Sequence, residues 1–490
     1  MASFQTCTII VLYLFVAAQA KIQQKSTAKE ELEKYIEEKK AEVNPRYRLH
    51  YHVAPPVGWI NDPNGFSYYK GEYHLFYQFY PYATVWGPMH WGHVTSSDLV
   101  TWKQMPTALL PDEEQCFSGS AVVDDDDNMV LIYTGHKITE TDPFFNQTQY
   151  LAFSDDGIDF HKYEGNPVLA TAPNGADDFR DPKVWKHGEY WYVVLGSKTL
   201  DERGRVLLYR SEDLKSWEFL TVLAESTGEL GYMWECPDFF ELNGKYVLLF
   251  SPQGIETQGD KFRNLYQTGY IVGDFSYDTF KFEPDSEFQE IDYGHDFYAA
   301  QTTEVEGKRY LIGWFGMWEE PHPEDVDGWA NAMTIVRELE LTNDNLIISK
   351  PVEAITDLRE EIVIDGYFDF DEVVILNSAA ELMLSADLNK DINLLIQGDN
   401  GGDEVLLQWD PSIGKVVVNR NGNNRQMAWN PISSETWRIF LDASSLELFC
   451  GEGELVFSSR VYPDGGWRVS NLSQQSLIIQ GYNLRRSVPA

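Results

Sequence analysis

A segment of about sixty residues recurs five times in this chain of 490 residues, and this repeat constrains the fold more than any other feature. Each copy contains a turn followed by an apolar, aromatic-rich strand pattern. The copies lie at Gly71–Tyr77, Asn128–Tyr133, Gly188–Val194, Gly244–Phe250 and Gly307–Gly313. A unit of this length has room for four short strands and their loops, whereas a single sandwich would not repeat at this period. The spacing therefore predicts a five-bladed β-propeller.

A second element keeps the same spacing. It begins with Ser, continues through Asp and a turn, and ends on an aromatic residue. The copies are Ser96–Trp102, Ser154–Phe160, Ser211–Trp217 and, more loosely, Ser276–Phe280. We interpret each copy as the turn before the outer strand of a blade, closed by an aromatic side chain that packs between blades.

The repeat stops near Leu346, but strand-like patterns with turn signals continue. The predicted strands are Ile392–Gln397, Glu404–Trp409, Lys415–Asn419, Trp437–Asp442, Leu446–Cys450 and Glu454–Ser459. Short strands of this kind are typical of a β-sandwich. We therefore predict an all-β protein with a propeller over residues 47–345, a linker over 346–360 and a β-sandwich over 361–490.

The N-terminus has the pattern of a secretory signal peptide. Thr8–Ala18 is an apolar run too short to span a bilayer, and Ala18-Gln19-Ala20 is a small-x-small cleavage site, although no Lys or Arg precedes the run. We predict a signal peptide over residues 1–20 and a secreted mature chain that begins at Lys21. The charged segment 21–46 is interpreted as a short solvated helix or a mobile arm.

Charge and cysteine content narrow the function classes. The formal net charge of −39 argues against nucleic acid or anionic membrane as a partner, and suits a neutral or cationic substrate. Of four cysteines, Cys7 lies in the predicted signal peptide, so Cys116, Cys236 and Cys450 allow at most one disulfide. Two N-glycosylation sequons begin at Asn146 and Asn471.

Acidic residues recur upstream of the repeated turn. Asp62 lies eleven residues before Tyr73, Asp181 nine before Tyr190, and Glu235 eleven before Tyr246. By itself the stretch around Asp62 is good turn chemistry, but the recurrence places one acid on the innermost strand of three blades. Like charges gathered in one cleft cost free energy, so their convergence indicates function rather than architecture.

Two carboxylates on either side of a glycosidic bond are the standard means of hydrolysing it. We expect Asn61 and Asn64 to keep Asp62 ionised, as a nucleophile requires. Trp234 and Cys236-Pro237 would give Glu235 a partly apolar wall that favours the protonated form needed in a general acid.

Arg180 precedes Asp181 in the sequence and would keep its carboxylate charged. Asp181 is then unsuited to proton donation. We expect it to hold sugar hydroxyls and to balance oxocarbenium charge.

Four ordered motifs resemble the signature of glycoside hydrolase family 32, the invertases (β-fructofuranosidases), inulinases and levanases. They are Trp59–Gly65, Phe117–Ser120, Arg180–Pro182 and Trp234–Pro237, and the resemblance covers roughly residues 47–490. The resemblance implies that Asp62 is the nucleophile, Glu235 the general acid/base and Asp181 the transition-state stabiliser. It also implies a retaining mechanism through a covalent fructosyl-enzyme.

The same resemblance implies which residues hold the terminal fructose: Asn61, Gln78, Trp86, Phe117, Ser118, Arg180 and Trp314, with Tyr293 and Asp296 as weaker candidates. It favours sucrose or short fructo-oligosaccharides as substrate. An exo-fructanase, a fructosyltransferase and a non-catalytic sugar-binding propeller remain as alternatives, and the oligomeric state stays open.

Other conspicuous residues have simpler interpretations. The acidic run Asp124–Asp127 is read as a solvated hairpin turn rather than a Ca²⁺ site, and His90 and His93 as wall or core residues. For Cys236 we favour a packing or hydrogen-bonding role over a reactive thiol or a bridge to Cys116. No metal or cofactor is predicted.

Overall fold

The computed structural model describes residues 27–432 and 434–489, in two bodies that divide after Val43. The predicted signal peptide lies outside the described residues. The first body contains one helix, α1, over residues 27–40, as one of the two interpretations of this segment expected. Leu32 and Ile36 are its buried residues. In the described part of the chain, no helix is long and apolar enough to cross a membrane.

The second body begins with four antiparallel sheets that each run in chain order from first to fourth strand. Sheet 1 comprises β1 (Gly58–Tyr69), β2 (Glu72–Tyr80), β3 (His90–Ser96) and β4 (Trp102–Gln104). Sheet 2 comprises β5 (Gln115–Val123), β6 (Met129–Ile138), β7 (Phe145–Ser154) and β8 (His161–Lys162). Sheet 3 comprises β9 (Phe179–His187), β10 (Tyr190–Lys198), β11 (Gly204–Ser211) and β12 (Trp217–Glu225). Sheet 4 comprises β13 (Met233–Leu242), β14 (Lys245–Gln253), β15 (Gly269–Ser276) and β16 (Lys281–Pro284), with the short β17 (Gln289–Glu290) beside β15.

A fifth sheet completes the propeller. Its strands are β18 (Tyr298–Val305), β19 (Lys308–Phe315), β22 (Arg337–Leu341) and β23 (Ile347–Pro351), and β21 (Ala332–Met333) pairs with β19. The first strands of successive sheets contact one another, and β18 returns to contact β1. Between sheets 5 and 1, β20 (Trp329–Ala330) pairs in parallel with β1. The five blades therefore close into a ring around β1, β5, β9, β13 and β18.

The repeated sequence elements occupy the predicted places. The turn-strand copies form β2, β6, β10, β14 and β19, the second strand of each blade. The Ser-to-aromatic copies connect third and fourth strands, and Ser96 Oγ caps this turn by accepting from the Leu99 N–H at 2.8 Å. The terminal aromatics pack between blades: Phe160 of blade 2 contacts Phe76 of blade 1 edge-on. Both interpretations are confirmed.

Two six-stranded sheets form the C-terminal β-sandwich. One has the order β24 (Arg359–Phe368), β35 (Leu477–Leu484), β26 (Ala380–Ser385), β31 (Thr436–Asp442), β32 (Ser445–Cys450) and β33 (Leu455–Arg460). The other has the order β25 (Val373–Leu376), β34 (Trp467–Asn471), β27 (Ile392–Gly398), β28 (Glu404–Asp410), β29 (Lys415–Arg420) and β30 (Asn423–Ala428). Alternate residues from both sheets fill one apolar core that includes Trp437 and Trp467.

The boundary between propeller and sandwich differs from the prediction. The segment 346–360, predicted as a linker, contains β23, the fourth strand of blade 5. A short 3₁₀ helix, Glu353–Leu358, then leads directly into β24 at Arg359. Two further 3₁₀ turns lie at Pro173–Gly175 and Asp325–Asp327. A long insertion between β19 and β22 makes the fifth unit longer than the repeat. The repeat spacing therefore did not predict the last strand of this blade.

Buried charges connect the sandwich to both ends of the propeller ring. Glu447 on β32 lies 2.9 Å from His52 Nε2, just before blade 1, and accepts from Arg337 Nη2 on blade 5 at 2.8 Å. It also accepts from the Ile335 N–H at 3.0 Å. The other ring nitrogen of His52 lies 2.8 Å from Asp442 Oδ2. One carboxylate of the sandwich therefore contacts both blade 5 and the segment that leads into blade 1.

Candidate active site

The innermost strand of every blade carries a β-bulge at the same point of the ring. Bulges re-aim side chains and interrupt pairing, which turns residues toward the channel. At this point of the ring, the residues left out of the pairing are Asp62, Phe117, Ser118, Asp181, Pro182, Cys236, Pro237, Ala299 and Ala300. Three of them have positive φ: Asp181 (62°), Cys236 (47°) and Ala299 (51°).

This register corrects the predicted equivalence of the three acids. Arg180, Glu235 and Tyr298 are the paired residues just before the bulge in blades 3, 4 and 5. Asp181 is therefore equivalent to Cys236, one residue beyond Glu235. Sequence spacing alone does not reveal where a bulge falls.

Asp62 receives donors on both carboxylate oxygens. Asn61 Nδ2 donates to Oδ1 at 2.9 Å and Ser118 Oγ donates to Oδ2 at 3.0 Å. Asn64 instead donates to the Asp62 backbone carbonyl at 3.3 Å. Burial, with the nearby charge of Glu235, raises the Asp62 pKa to about 6, and the two hydrogen bonds oppose this rise only in part. Of the two expected donors, Asn61 contacts the Asp62 carboxylate and Asn64 does not. Desolvation of the carboxylate outweighs the hydrogen bonds that it receives.

Glu235 lies in a polar setting rather than beside the predicted apolar wall. Arg180 Nη2 donates to Oε1 at 2.9 Å, while Gln253 Nε2 and Tyr298 OH donate to Oε2 at 2.8 and 2.5 Å. Trp234 points away, and its ring lies 4.1 Å from that of Phe250 in the core between blades 3 and 4. Because neighbours in a strand face opposite sides, Trp234 could not share a wall with Glu235.

Asp181 is held by the backbone of the next blade. Its Oδ2 accepts the Cys236 N–H at 3.0 Å, and its own N–H donates to Thr134 Oγ1 at 3.0 Å. Burial raises the pKa of Asp181, and the charge of Arg180 opposes the rise without cancelling it. Arg180 therefore does not hold the Asp181 pKa at its ordinary value, as had been expected, because its guanidinium is directed mainly at Glu235 and Asp178.

The Cys236 thiol lies between two of the carboxylates. Its sulfur is 3.7 Å from Asp62 Oδ2 and 3.7 Å from Asp181 Oδ2. Burial, reinforced by the surrounding negative charge, raises the pKa of this thiol well above its ordinary value. Cys116, Cys236 and Cys450 are all free, so the described residues contain no bridge between Cys116 and Cys236. The packing and hydrogen-bonding interpretation of Cys236 is confirmed.

The residues predicted to hold the fructose differ in their exposure to solvent. Asn61, Gln78, Ser118 and Arg180 are buried, and Gln78 Nε2 donates to the Cys116 carbonyl at 3.0 Å. Phe117 stacks on His136 at 4.1 Å, and the exposed Trp86 meets Phe117 edge-on at 6.0 Å. Trp314 is fully buried behind Trp318, so it presents no surface to a ligand in this structure.

The weaker candidates belong to a different surface. Asp296 accepts from Arg420 Nη1 at 2.6 Å and from the Arg460 N–H at 2.8 Å, both in the sandwich. Tyr293 packs against the sandwich core. Both residues therefore serve the contact between the propeller and the sandwich.

Sequence reasoning did not single out Tyr298 or Gln253, which hold Glu235. Tyr298 occupies the position in blade 5 that Glu235 occupies in blade 4, and this equivalence was the available signal. Gln253 ends β14, a strand predicted only as scaffold. Its approach to Glu235 depends on the pairing between β13 and β14, which one sequence does not specify.

The acidic run forms a hairpin turn and both histidines are buried, as the simpler interpretations predicted. Asp124 caps the turn between β5 and β6 by accepting from the Asn128 N–H at 2.8 Å. His93 is buried and stacks on Phe76 at 4.1 Å. His90 is buried as well. Within residues 27–432 and 434–489, no three His, Cys, Asp or Glu side chains are grouped to hold a metal ion.

Comparison with known proteins identifies the family. The model of the glycosyl hydrolases family 32 N-terminal domain matches residues 52–351, and that of the family 32 C-terminal domain matches residues 356–479. A sucrose-6-phosphate hydrolase of Zymomonas mobilis is 44% identical over 467 residues, covering 88% of this chain and 89% of the relative. A raffinose invertase of Escherichia coli is 39% identical over 439 residues, covering 86% and 91%.

Among solved structures, a Bombyx mori GH32 beta-fructofuranosidase is 60% identical with a TM-score of 0.93, over 95% of this chain and all of that one (100%). A sucrose-6-phosphate hydrolase of Lactobacillus gasseri is 28% identical with a TM-score of 0.83, over 93% and 96%. The chain thus belongs to glycosyl hydrolases family 32 and is a glycoside hydrolase.

Proposed function

We propose that the protein is a secreted, retaining β-fructofuranosidase that hydrolyses sucrose. The observation that carries this proposal is the convergence of three carboxylates from three blades. Asp62 and Asp181 share contact with one sulfur, and Arg180 lies 2.9 Å from Glu235 and 3.9 Å from Asp181. A cluster of this kind suits a reaction that develops positive charge on a sugar ring.

The proposed reaction has two steps. Glu235 gives its proton to the oxygen that joins the two sugars while Asp62 attacks the anomeric carbon of the fructosyl ring, so the bond to the leaving sugar breaks as an ester to Asp62 forms. A water molecule then attacks the same carbon. Glu235 takes up its proton and Asp62 is released as a carboxylate. In its ionised form, Asp181 would stabilise the oxocarbenium-like transition states through its negative charge.

We assign the terminal fructosyl ring to the pocket beside Asp62. Asn61, Gln78 and Ser118 would offer hydrogen bonds at its base, and Trp86 and Phe117 an aromatic wall. Trp314 lies behind Trp318 and takes no part in this wall, a change from the direct contact that the resemblance implied. A small neutral ring is the ligand that such a mixture of amides, hydroxyl and aromatic groups suits.

The names of the relatives indicate different substrates. One group is named for sucrose 6-phosphate, and a variant of the Bombyx mori enzyme was solved with sucrose. Near the pocket, Arg180 is paired with Glu235 and Asp178, and Lys198 lies 3.1 Å from Asp178. Because these cations are already neutralised, we favour an uncharged substrate over a phosphorylated one.

Product analysis with sucrose, sucrose 6-phosphate, raffinose and inulin side by side tests the substrate. We expect fructose release with the highest kcat/KM on sucrose. A preference for inulin would indicate the exo-fructanase alternative, and more transfer product than free fructose would indicate a fructosyltransferase. No release from any of the four by the folded protein would leave the non-catalytic alternative and contradict the proposal.

Turnover in dilute methanol tests the mechanism. Retention predicts methyl β-D-fructofuranoside as the methanolysis product, because both displacements occur at the same carbon. The α anomer would show inversion and would contradict Asp62 as a covalent nucleophile.

Secretion is part of the proposal and is supported by the sequence pattern of residues 1–20. Asn146 is exposed on β7 and is available for glycosylation. Asn471 is buried, and its amide donates to the Phe368 carbonyl at 2.6 Å. N-terminal sequencing of protein from the medium of a secreting host should begin at Lys21. An intact N-terminus retained in the cell would contradict secretion.

A further inference from the structure

Gln253 connects Glu235 to two tyrosines at the mouth of the pocket. Its side chain donates to Glu235 Oε2 at 2.8 Å, and its backbone carbonyl accepts the Tyr232 N–H at 2.9 Å. Its backbone also forms an isolated β-bridge with Tyr266. Tyr232 and Tyr266 therefore lie on the two backbone segments that pair with the residue beside Glu235.

The two tyrosines form a continuous surface that leads out from Glu235. The Tyr266 ring lies 5.8 Å from the ring of Tyr298, whose hydroxyl is bonded to Glu235. The hydroxyls of Tyr266 and Tyr232 lie 3.5 Å apart. Tyr266 is half-buried, whereas Tyr232 is 38% exposed. A ligand that touches Glu235 would meet Tyr266 first and Tyr232 next.

Gly254 leaves room for the Tyr232 ring. A Cβ at Gly254 would lie 2.4 Å from this ring, so the glycine lets the ring rest directly against the backbone. Aromatic rings with one face supported and the other open are the usual surfaces on which sugars stack through their apolar C–H faces. The tyrosine hydroxyls add hydrogen-bonding groups at the edge of the surface.

The contacts through Tyr298 and Gln253 place this surface on the Glu235 side of the pocket. Burial raises the pKa of Tyr266, and the neighbouring Tyr232 and the negative charge of Glu235 add to the rise. Asp62 has its close contacts elsewhere, with Asn61, Ser118 and Cys236. In a glycosidase the general acid must touch the oxygen of the leaving sugar, whereas the nucleophile approaches the ring that stays.

We infer that Tyr232 and Tyr266 bind the leaving-group sugar, a neutral pyranose whose bridging oxygen contacts Glu235. This assignment rests on the proposed function and names a second sugar site that the wall residues beside Asp62 do not provide. It makes the tyrosine pair a determinant of which β-fructosides are cleaved rapidly. It also accounts for the exposed Tyr232 ring at the outer end of this surface.

The test compares two substrates that share the fructosyl ring. Sucrose has glucose as its leaving group, whereas methyl β-D-fructofuranoside has methanol and no second sugar. Tyr232→Ala should lower kcat/KM on sucrose about tenfold, the usual worth of one aromatic stack, and change kcat/KM on the methyl fructoside by less than about twofold. Tyr232→Phe keeps the ring and should stay within about threefold of wild type on both. Tyr367→Ala, an exposed tyrosine of β24, is the matched control.

Equal losses on both substrates would show that Tyr232 acts on the reaction centre or on folding, and would overturn the assignment. An unchanged kcat/KM on sucrose would overturn it as well. Tyr266→Ala is checked in the same way, and its thermal midpoint reports any loss of packing against Tyr298. If wild type cleaves neither substrate, the proposed function itself fails. If wild type cleaves both and the variants show no selective loss, only this inference fails.

Discussion

Arg180 bonds to Glu235 on the neighbouring blade rather than to Asp181, its neighbour in sequence. Its Nη2 lies 2.9 Å from Glu235 Oε1, whereas its Nε lies 3.9 Å from Asp181 Oδ2. The guanidinium also contacts Asp178. Arg180 therefore connects blade 3 to the proposed acid/base on blade 4 and sets its position.

Replacement of Arg180 by Lys should lower kcat/KM on sucrose about 100-fold, because an ammonium cannot reproduce the two contacts from Nε and Nη2. Arg210→Lys on the same blade is the control, since Arg210 makes an exposed ion pair with Glu218. The control should remain within about twofold of wild type. A similar small effect of Arg180→Lys would refute a positioning role.

The pH dependence of kcat/KM on sucrose should follow the ionisation of Asp62. Its pKa of about 6 predicts that kcat/KM on sucrose falls as the pH drops through 6, because the proposed nucleophile becomes protonated. Ser118→Ala removes a donor that favours the ionised form, so the acidic limb should move to higher pH. Ser120→Ala on the same strand, whose hydroxyl accepts the Val184 N–H, should leave the limb in place. An acidic limb that Ser118→Ala leaves unmoved would exclude Asp62 as its source.

The buried bridge at Glu447 should dominate stability. Glu447→Gln leaves Arg337 and His52 without a carboxylate that both contact, and we expect a loss of about 3 kcal/mol in the free energy of unfolding. Lys350→Gln, which removes an exposed pair with Glu340, should cost less than about 1 kcal/mol. Urea unfolding followed by tryptophan fluorescence measures both. Equal midpoints for the two variants would show that the bridge contributes little.

His52 should give this stability a pH dependence. Its hydrogen bonds and charge interactions with Asp442 and Glu447 outweigh burial and raise the His52 pKa above 6.5. The protonated ring therefore stabilises the fold fully below that ordinary value, and this contribution is lost as the pH rises through the raised pKa. His52→Gln should flatten the alkaline decline in the urea midpoint. A decline that is identical in wild type and variant would assign it to other groups.

Glycosylation in a secreting eukaryotic host should be confined to Asn146. Asn146→Gln should remove the glycan and lower the mass, whereas Asn471→Gln should leave glycan content unchanged because Asn471 is buried and hydrogen-bonded. Mass spectrometry before and after glycan removal measures this. A glycan on Asn471 would mean that modification precedes folding of the sandwich.

The sequence was sufficient to predict the architecture because propeller blades repeat. The turn-strand copies such as Gly188–Val194 fell on equivalent strands, and the sandwich strands were found where alternation was regular, as in Ile392–Gly398. The strands β24, β25, β26, β30, β34 and β35 were not predicted. Several are exposed on one side and carry apolar residues there, such as Tyr367 and Ile375, which obscures the period-two pattern.

The site was predicted as a set of residues but not as a geometry. Asp62, Asp181 and Glu235 were expected to converge, and they do. Which donor contacts which carboxylate depends on bulges and on pairing across blades, so Tyr298 and Gln253 went unnoticed and Arg180 was given the wrong partner. The balance between burial and hydrogen bonding at Asp62 likewise depends on depth in the channel, which local sequence does not report.

The most direct test of the account is kcat of Asp62→Asn on sucrose at neutral pH. The substitution keeps size and hydrogen-bonding capacity and removes the nucleophile, so we predict a fall of at least about 10⁴-fold in kcat. The variant should also be more heat-stable than wild type, because burial of the ionised carboxylate, with its raised pKa, is no longer required at this pH. Turnover within tenfold of wild type by the folded variant would contradict the proposed role of Asp62, and with it the mechanism.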